Sequence, residues 1–282
     1  MKFVFFGGKE IGSYILRNLL NDDIIPAAII SYQDIIAPEV LLIAKGKGIP
    51  VLQLRNFKNS IFEIIQFIQK LDADSYVSVS FPFILPKEIL SLVKTPINIH
   101  TGAIPKYRGY HPISAALLND EPFQGTTVHL MAEEVDAGSV LLQDFVEVKN
   151  TDDINSIKEK LINLSNSLLI TVLNQLRTNT LYPKKQIGEI IWAPKRLPED
   201  SKIDFNNKTR YLHNFVRALS DPYPNAYCFL KDEKIRIKSS LSGNVNGEVL
   251  NKTIDGKYII ATADGVLIVE CDRLLQIGDI LN

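Results

Sequence analysis

Cysteine is scarce in this 282-residue chain, with only Cys228 and Cys271 present. Two thiols without metal-ligand spacing give neither a disulfide framework nor a metal site, so a reducing cytoplasm is the expected setting. A charge surplus is missing as well. Lys and Arg number 31 against 32 Asp and Glu, for a formal net charge of −1, whereas proteins that cover many phosphates carry a basic excess or a basic face. A large nucleic-acid footprint is not expected, although a local basic patch fits this balance. No apolar run approaches the roughly 18 residues needed to span a bilayer. Residues 1–6 open apolar, but Gly7, Gly8, Lys9 and Glu10 interrupt the run before a secretory core could form. Internal repeats and low-complexity tracts are absent too. What remains is 46% hydrophobic and 22% charged, the composition of a soluble globular protein long enough for one large core and a small second one.

The first two-thirds alternates short β-like runs with amphipathic segments, the pattern of a parallel sheet with helices on its faces. Strands are expected near residues 2–6, 25–31, 51–54, 75–80, 96–99, 125–131 and 139–148. Helices are expected near 11–20, 38–47, 58–71, 113–118 and 154–177. In the third helix Ile61, Ile64, Ile65 and Ile68 share one face. The fold class is therefore α/β, with a Rossmann-like N-terminal domain. From 181 to 204 the pattern breaks into a Pro-containing connector, which places a domain boundary between 1–195 and 196–282. Beyond it come a helix over 209–219 and short strands near 226–230, 234–239, 247–250, 258–262 and 265–270. Turns such as Asp255-Gly256 and Asp264-Gly265 separate these strands, as in a small, OB-like β-rich domain.

Chemistry concentrates in residues 97–109. Ile97 and Ile99 alternate with Asn98 and His100, so a strand of period two presents the amide and the imidazole on one face. The Gly- and Pro-rich residues that follow end the strand and leave His100 at its carboxyl end, where open α/β sheets keep their ligand crevices. Asp136, in Val135-Asp136-Ala137-Gly138, could fold back against that imidazole and complete a set suited to acyl transfer. It would orient His100 and raise its pKa. The imidazole could either hold a proton or donate to an oxyanion, and the Asn98 amide could donate to the same oxygen. Gly7-Gly8-Lys9-Glu10-Ile11-Gly12 fails the dinucleotide fingerprint because its third position is Lys9. His111 and His129, unpaired by spacing, read as structural first and acceptor-facing second, and His213 as packing and capping.

Asn98, His100 and Asp136, with Pro105-x-Tyr107-Arg108-Gly109 and Asp136-Ala137-Gly138, resemble the formyltransferases that use 10-formyltetrahydrofolate. Downstream, residues 199–205, 212–219 and Pro222-Tyr223-Pro224-Asn225-Ala226-Tyr227 resemble the junction and small β domain of the same enzymes. The resemblance implies an N-formyltransferase in which Asn98, His100 and Asp136 are catalytic, with no metal. It also implies that 10-formyltetrahydrofolate binds along Phe83, Ile84 and Leu85, whose apolar loop suits a flat heterocycle, and against Ala137 and Gly138. Gly8, Lys9, Tyr107 and Arg108 become acceptor candidates, since an aromatic face and a guanidinium fork suit a base or a phosphate.

Two acceptors fit the resemblance: the methionyl group of initiator tRNA, or an amino sugar on a nucleoside diphosphate. The tRNA enzymes usually carry a basic insertion after the second strand. Here residues 31–39 contain no Lys or Arg, which forgoes the phosphate attraction that dominates nucleic-acid affinity. Gly109-Tyr110-His111-Pro112 also departs from the Gly-Ala-Ala-Pro of those enzymes. The expectation is a nucleotide-linked amino sugar, such as a dideoxy amino hexose for a surface polysaccharide, with methionyl-tRNA as the alternative. A silent binding protein on the same fold is the remaining option. By analogy with the family, the chain is expected to form a homodimer and to need no membrane.

Overall fold

A computed structural model describes residues 1–33, 36–242, 249–253 and 255–281. Its first elements are β1 (Phe3–Gly7), α1 (Lys9–Asn21), β2 (Ala28–Tyr32), α2 (Pro38–Gly46), β3 (Val51–Leu54), α3 (Ile61–Gln69) and β4 (Ser75–Val79). There follow α4 (Lys87–Leu90), β5 (Thr95–His100), β6 (Lys106–Gly109), α5 (Pro112–Leu118), β7 (Phe123–Leu130), β8 (Val140–Glu147) and α6 (Ile154–Arg177). The strands build a seven-stranded sheet in the order β3-β2-β1-β4-β5-β7-β8, parallel from β3 to β5 and antiparallel between β5 and β7. This is the expected Rossmann-like layering. The 58–71 stretch begins as a 3₁₀ turn over Lys58–Ser60 before α3, and β6 with its two-stranded partner were not expected at all.

β1 and β4 are buried along their whole length, because each lies between two neighbouring strands and under two cores. On one face Leu16, Leu19, Ile97, Ile99, Val128, Leu169 and Val172 pack together, drawing on α1, β5, β7 and α6. On the other, Phe6, Ile30, Ile64, Ile68, Tyr76 and Ile89 form a second core under α3 and α4. Gly7 ends β1 opposite Val79, and a Cβ there would lie 2.6 Å from the Val79 carbonyl oxygen. Only glycine lets the chain turn from β1 into α1 so close to β4.

Within the connector lies β9 (Ile191–Ala193), which pairs with β6, and after it come α7 (Thr209–Arg217), β10 (Ala226–Leu230), β11 (Glu233–Ser242), β12 (Val249–Lys252), β13 (Tyr258–Ala261) and β14 (Val266–Cys271). These last five strands form an antiparallel sheet in the order β10-β11-β14-β13-β12. Leu212, Phe215 and Val216 line one side of α7 and are buried with Ile235, Ile237, Ile260 and Leu267, a spacing of three and four that makes the helix amphipathic. His213 is held between the Ser240 hydroxyl and the Asn150 carbonyl, both at 3.1 Å, in the packing role expected of it. The start of the strand expected at 247–250 lies outside the described residues.

Contacts do not divide the chain at a single cut. One unit comprises Met1–Gly109, Gly125–Val146 and Lys160–Trp192; the other takes Tyr110–Gln124, Glu147–Glu159 and Ala193–Asn282. Segments distant in sequence from the C-terminal sheet thus join its unit. Among the described residues no helix is long and apolar enough to cross a membrane.

Candidate active site

The site is built at the carboxyl end of β5. Ile97 and Ile99 turn into the core while Asn98 and His100 occupy the alternate positions, as the period of two requires. β7 runs antiparallel beside them, in a register that sets His129 opposite Asn98 and Thr127 opposite His100. The His129 Nε2 lies 3.1 Å from the Asn98 amide nitrogen and 3.4 Å from Asp136 Oδ1. Register brings these groups together, which no spacing within one segment reveals.

Asp136 lies at the centre. Its Oδ2 accepts the Gly109 backbone N–H at 2.9 Å and sits 3.4 Å from His100 Nδ1. The carboxylate is only 10% exposed. Burial pushes such a group up, but the imidazoles of His129 and His100 beside it and the Gly109 N–H outweigh it and hold the carboxyl down at about 2. His100 behaves differently from expectation. Burial lowers its pKa and wins over the upward pull of Asp136 and the Tyr107 carbonyl. Its Nε2 lies 2.7 Å from that carbonyl, which can only accept, so Nε2 carries the hydrogen and Nδ1 faces the carboxylate with a lone pair.

The 131–139 loop is fixed by its own backbone. Asp136 adopts φ 52°, in the left-handed region. Gly138 lies so close to β7 that a Cβ would fall 1.7 Å from the Leu130 carbonyl oxygen. Gln186, from the connector, donates through Nε2 to the Asp136 and Gly138 carbonyls, both at 2.7 Å. Its Oε1 accepts from Arg108 Nε at 3.1 Å and Nη2 at 2.8 Å, and Arg108 Nη1 reaches Glu134 at 3.1 Å. Gln186 carried no sequence signal, standing 78 residues from Arg108.

The expected ligand-facing residues divide. Arg108 is 5% exposed with its guanidinium engaged as described, and Tyr107 is 3% exposed. Both expected acceptor contacts are thus buried side chains here, with the Arg108 guanidinium held by Gln186 and Glu134. Gly8 is buried at the N-cap of α1, and Lys9 is exposed beside it. Phe83 stacks on Phe57 at 4.7 Å and Leu85 is buried, while Ile84 is 60% exposed. Among the described residues the backbone N–H groups of Phe83, Ile84 and Leu85 have no backbone acceptor. Lys87, at the start of α4, pairs with Glu133 at 3.2 Å and so ties this segment to the loop that carries Ala137 and Gly138.

A Rossmann-like sheet with an amide, two imidazoles and a carboxylate gathered at its strand ends has the groups that transfer of an acyl unit requires. The profile described as "Formyl transferase" matches residues 1–173 and that described as "Formyl transferase, C-terminal domain" matches 196–280. The chain belongs to the formyl transferase family, whose members transfer formyl groups. It is 36% identical to a methionyl-tRNA formyltransferase of Thermodesulfovibrio yellowstonii, over 82% of this chain and 75% of that one. It is 30% identical to the enzyme of that name from Citrifermentans bemidjiense, over 100% and 93% of the two chains. By fold it resembles WlaRD, a sugar 3N-formyl transferase solved with dTDP and 5-N-formyl-THF, at a TM-score of 0.75 and 18% identity over 98% and 99% of the chains. An N-formyltransferase of Helicobacter canadensis, in complex with folinic acid and dTDP-3-aminofucose, gives a TM-score of 0.70 and 18% identity over 96% and 99%.

Proposed function

We propose that this chain transfers the formyl group of 10-formyltetrahydrofolate to the amino group of a nucleotide-linked amino sugar, using Asn98, His100 and Asp136. The residues after β4 fit a folate. Their apolar side chains give walls that desolvate a flat ring, and three neighbouring N–H groups without backbone acceptors are available to orient it. Ala137 and Gly138 lie on the loop that Lys87 and Glu133 join to this segment.

The bound folate supplies an activated formyl carbonyl. One Asn98 amide N–H is directed at His129, and the other is free to meet the carbonyl oxygen as it gains charge. Such a donor contributes about 3 kcal/mol to lowering a barrier. With Nε2–H committed to the Tyr107 carbonyl, His100 is placed to hold a proton rather than to donate to the oxyanion. As the amine adds to the formyl carbon and the bond from that carbon to folate N10 breaks, the His100–Asp136 pair takes the proton the amine sheds and returns it to N10 of the departing tetrahydrofolate, while the low carboxyl pKa keeps the negative charge ready beside Nδ1.

The observation that carries the choice of acceptor is the absence of Lys and Arg from residues 31–39, a segment that starts at the carboxyl end of β2. Methionyl-tRNA is the second reading, favoured by the names of the sequence relatives. Calorimetric titration with nucleoside diphosphates beside deacylated tRNA separates the two. Nucleotide binding is expected, and micromolar tRNA binding without nucleotide binding overturns the choice. Conversion of 10-formyltetrahydrofolate to tetrahydrofolate over a panel of amino-sugar nucleotides then identifies the acceptor.

A further inference from the structure

We propose that His129 is a positioning residue, which as the Nδ1–H tautomer accepts a hydrogen bond from Asn98 and so fixes the direction in which the Asn98 carboxamide faces. The inference rests on the formyl-transfer reading above and adds a group to it.

A carboxamide has two faces of similar shape and opposite hydrogen-bonding sense, and only its partners decide which one meets a ligand. For Asn98 that partner is His129. Among the described residues no other group holds the Asn98 carboxamide. His129 Nδ1 lies 2.8 Å from the Leu130 carbonyl, and a carbonyl can only accept, so the ring hydrogen belongs on Nδ1. In the neutral ring Nε2 is then a lone pair, and the group 3.1 Å from it must be the NH₂ side of Asn98. The ring is 2% exposed, on a strand whose register with β5 places it directly opposite Asn98.

This arrangement has a chemical purpose. An amide fixed by one N–H keeps its second N–H in a constant direction, which is what stabilising a developing oxyanion requires. Released, the same side chain could turn its carbonyl toward that oxygen, replacing attraction by repulsion. Asp136 Oδ1 stands 3.4 Å from the same Nε2. The Asn98 N–H therefore also covers a lone pair that would otherwise face a carboxylate.

Three variants and one spectrum test the proposal. His129→Leu removes the acceptor, and His129→Gln restores one through its amide oxygen. Formyl transfer is followed with 10-formyltetrahydrofolate and dTDP-3-aminofucose, or whichever panel sugar is turned over. His129→Leu should lower kcat roughly ten- to a hundred-fold, short of losing the whole donor, with KM for the folate within about two-fold, since ground-state binding is untouched. His129→Gln should recover most of that loss. In an Asn98→Ala background His129→Leu should cost nothing further, because a residue acting through another is silent once that other is gone. The proposal is overturned if His129→Leu leaves kcat unchanged, if the loss falls on KM, or if the two losses multiply. Long-range ¹⁵N–¹H correlation on the wild-type protein reads the tautomer without any substrate. Protonated Nδ1 and bare Nε2 are expected, and a hydrogen on Nε2 refutes the idea even if the variants fail to fold. A wild-type enzyme inactive with every acceptor would defeat the proposed function while leaving the tautomer measurement intact.

Discussion

Replacing Gly138 by alanine probes how tightly the Asp136 carboxylate is placed. The new Cβ would stand 1.7 Å from the Leu130 carbonyl oxygen and 2.7 Å from its carbon, about 1.7 Å short of the 3.4 Å at which ordinary contact begins. The obstacle is backbone within a sheet and cannot swing aside, so the 131–139 loop must retreat. Asp136 lies two residues away and holds its contacts at 2.9 and 3.4 Å, a constellation that a shift of about 1 Å dismantles. Misplacement on that scale costs on the order of a hundred-fold in rate, and overpacking costs about 1–3 kcal/mol of stability. Thermal unfolding measures the second, and steady-state kcat with 10-formyltetrahydrofolate and a competent acceptor measures the first. A Gly138→Ala enzyme with kcat within about two-fold of wild type would refute the claim that this close approach positions the carboxylate.

Gln186→Leu removes the clamp on both loop carbonyls and strands the Arg108 guanidinium; it should lower the midpoint of thermal unfolding by several degrees, at about 1 kcal/mol per lost hydrogen bond, and an unchanged midpoint contradicts the clamp. Asp136 titrates at about 2 when folded against an ordinary 3.8, so its stabilisation is present above pH 4 and lost as pH falls through 2, worth about 2 kcal/mol in all. Asp136→Asn should accordingly flatten the stability curve between pH 4 and 2, measured by urea unfolding. The lowered pKa of His100 keeps it neutral, so the acid limb of kcat/KM should fall below about 6.5; a limb above that value contradicts the burial argument. His100→Ala should reduce kcat at least a hundred-fold, to an order of magnitude set by the loss of general-base catalysis, with the folate KM little changed.

Much of this molecule could be read along a single strand or helix. Alternation in residues 97–100 put Asn98 and His100 on one face because strand geometry is local, and the β/α alternation of the first two-thirds gave the parallel sheet. What stayed hidden depends on partners far away in the chain. His129 meets Asn98 through a register shared by strands 31 residues apart. The partner of the Arg108 guanidinium, Gln186, lies 78 residues downstream. The pKa of His100 was misjudged for a related reason: its carboxylate neighbour could be guessed, whereas the depth of its burial could not. The 3₁₀ turn ahead of α3 and the β6–β9 pair are short elements with no periodicity long enough to detect.

Asp136 owes its location to the Gly109 N–H, to a glycine pressed on a strand and to a glutamine from the connector. On the proposed reading, the reactive groups hang on this frame and the choice of acceptor falls to other segments. Variation can rewrite the latter, loop by loop, without dislodging the former. Transplanting a cationic 31–39 segment from a tRNA-modifying relative is the corresponding engineering experiment, since it offers a new client to chemistry left undisturbed.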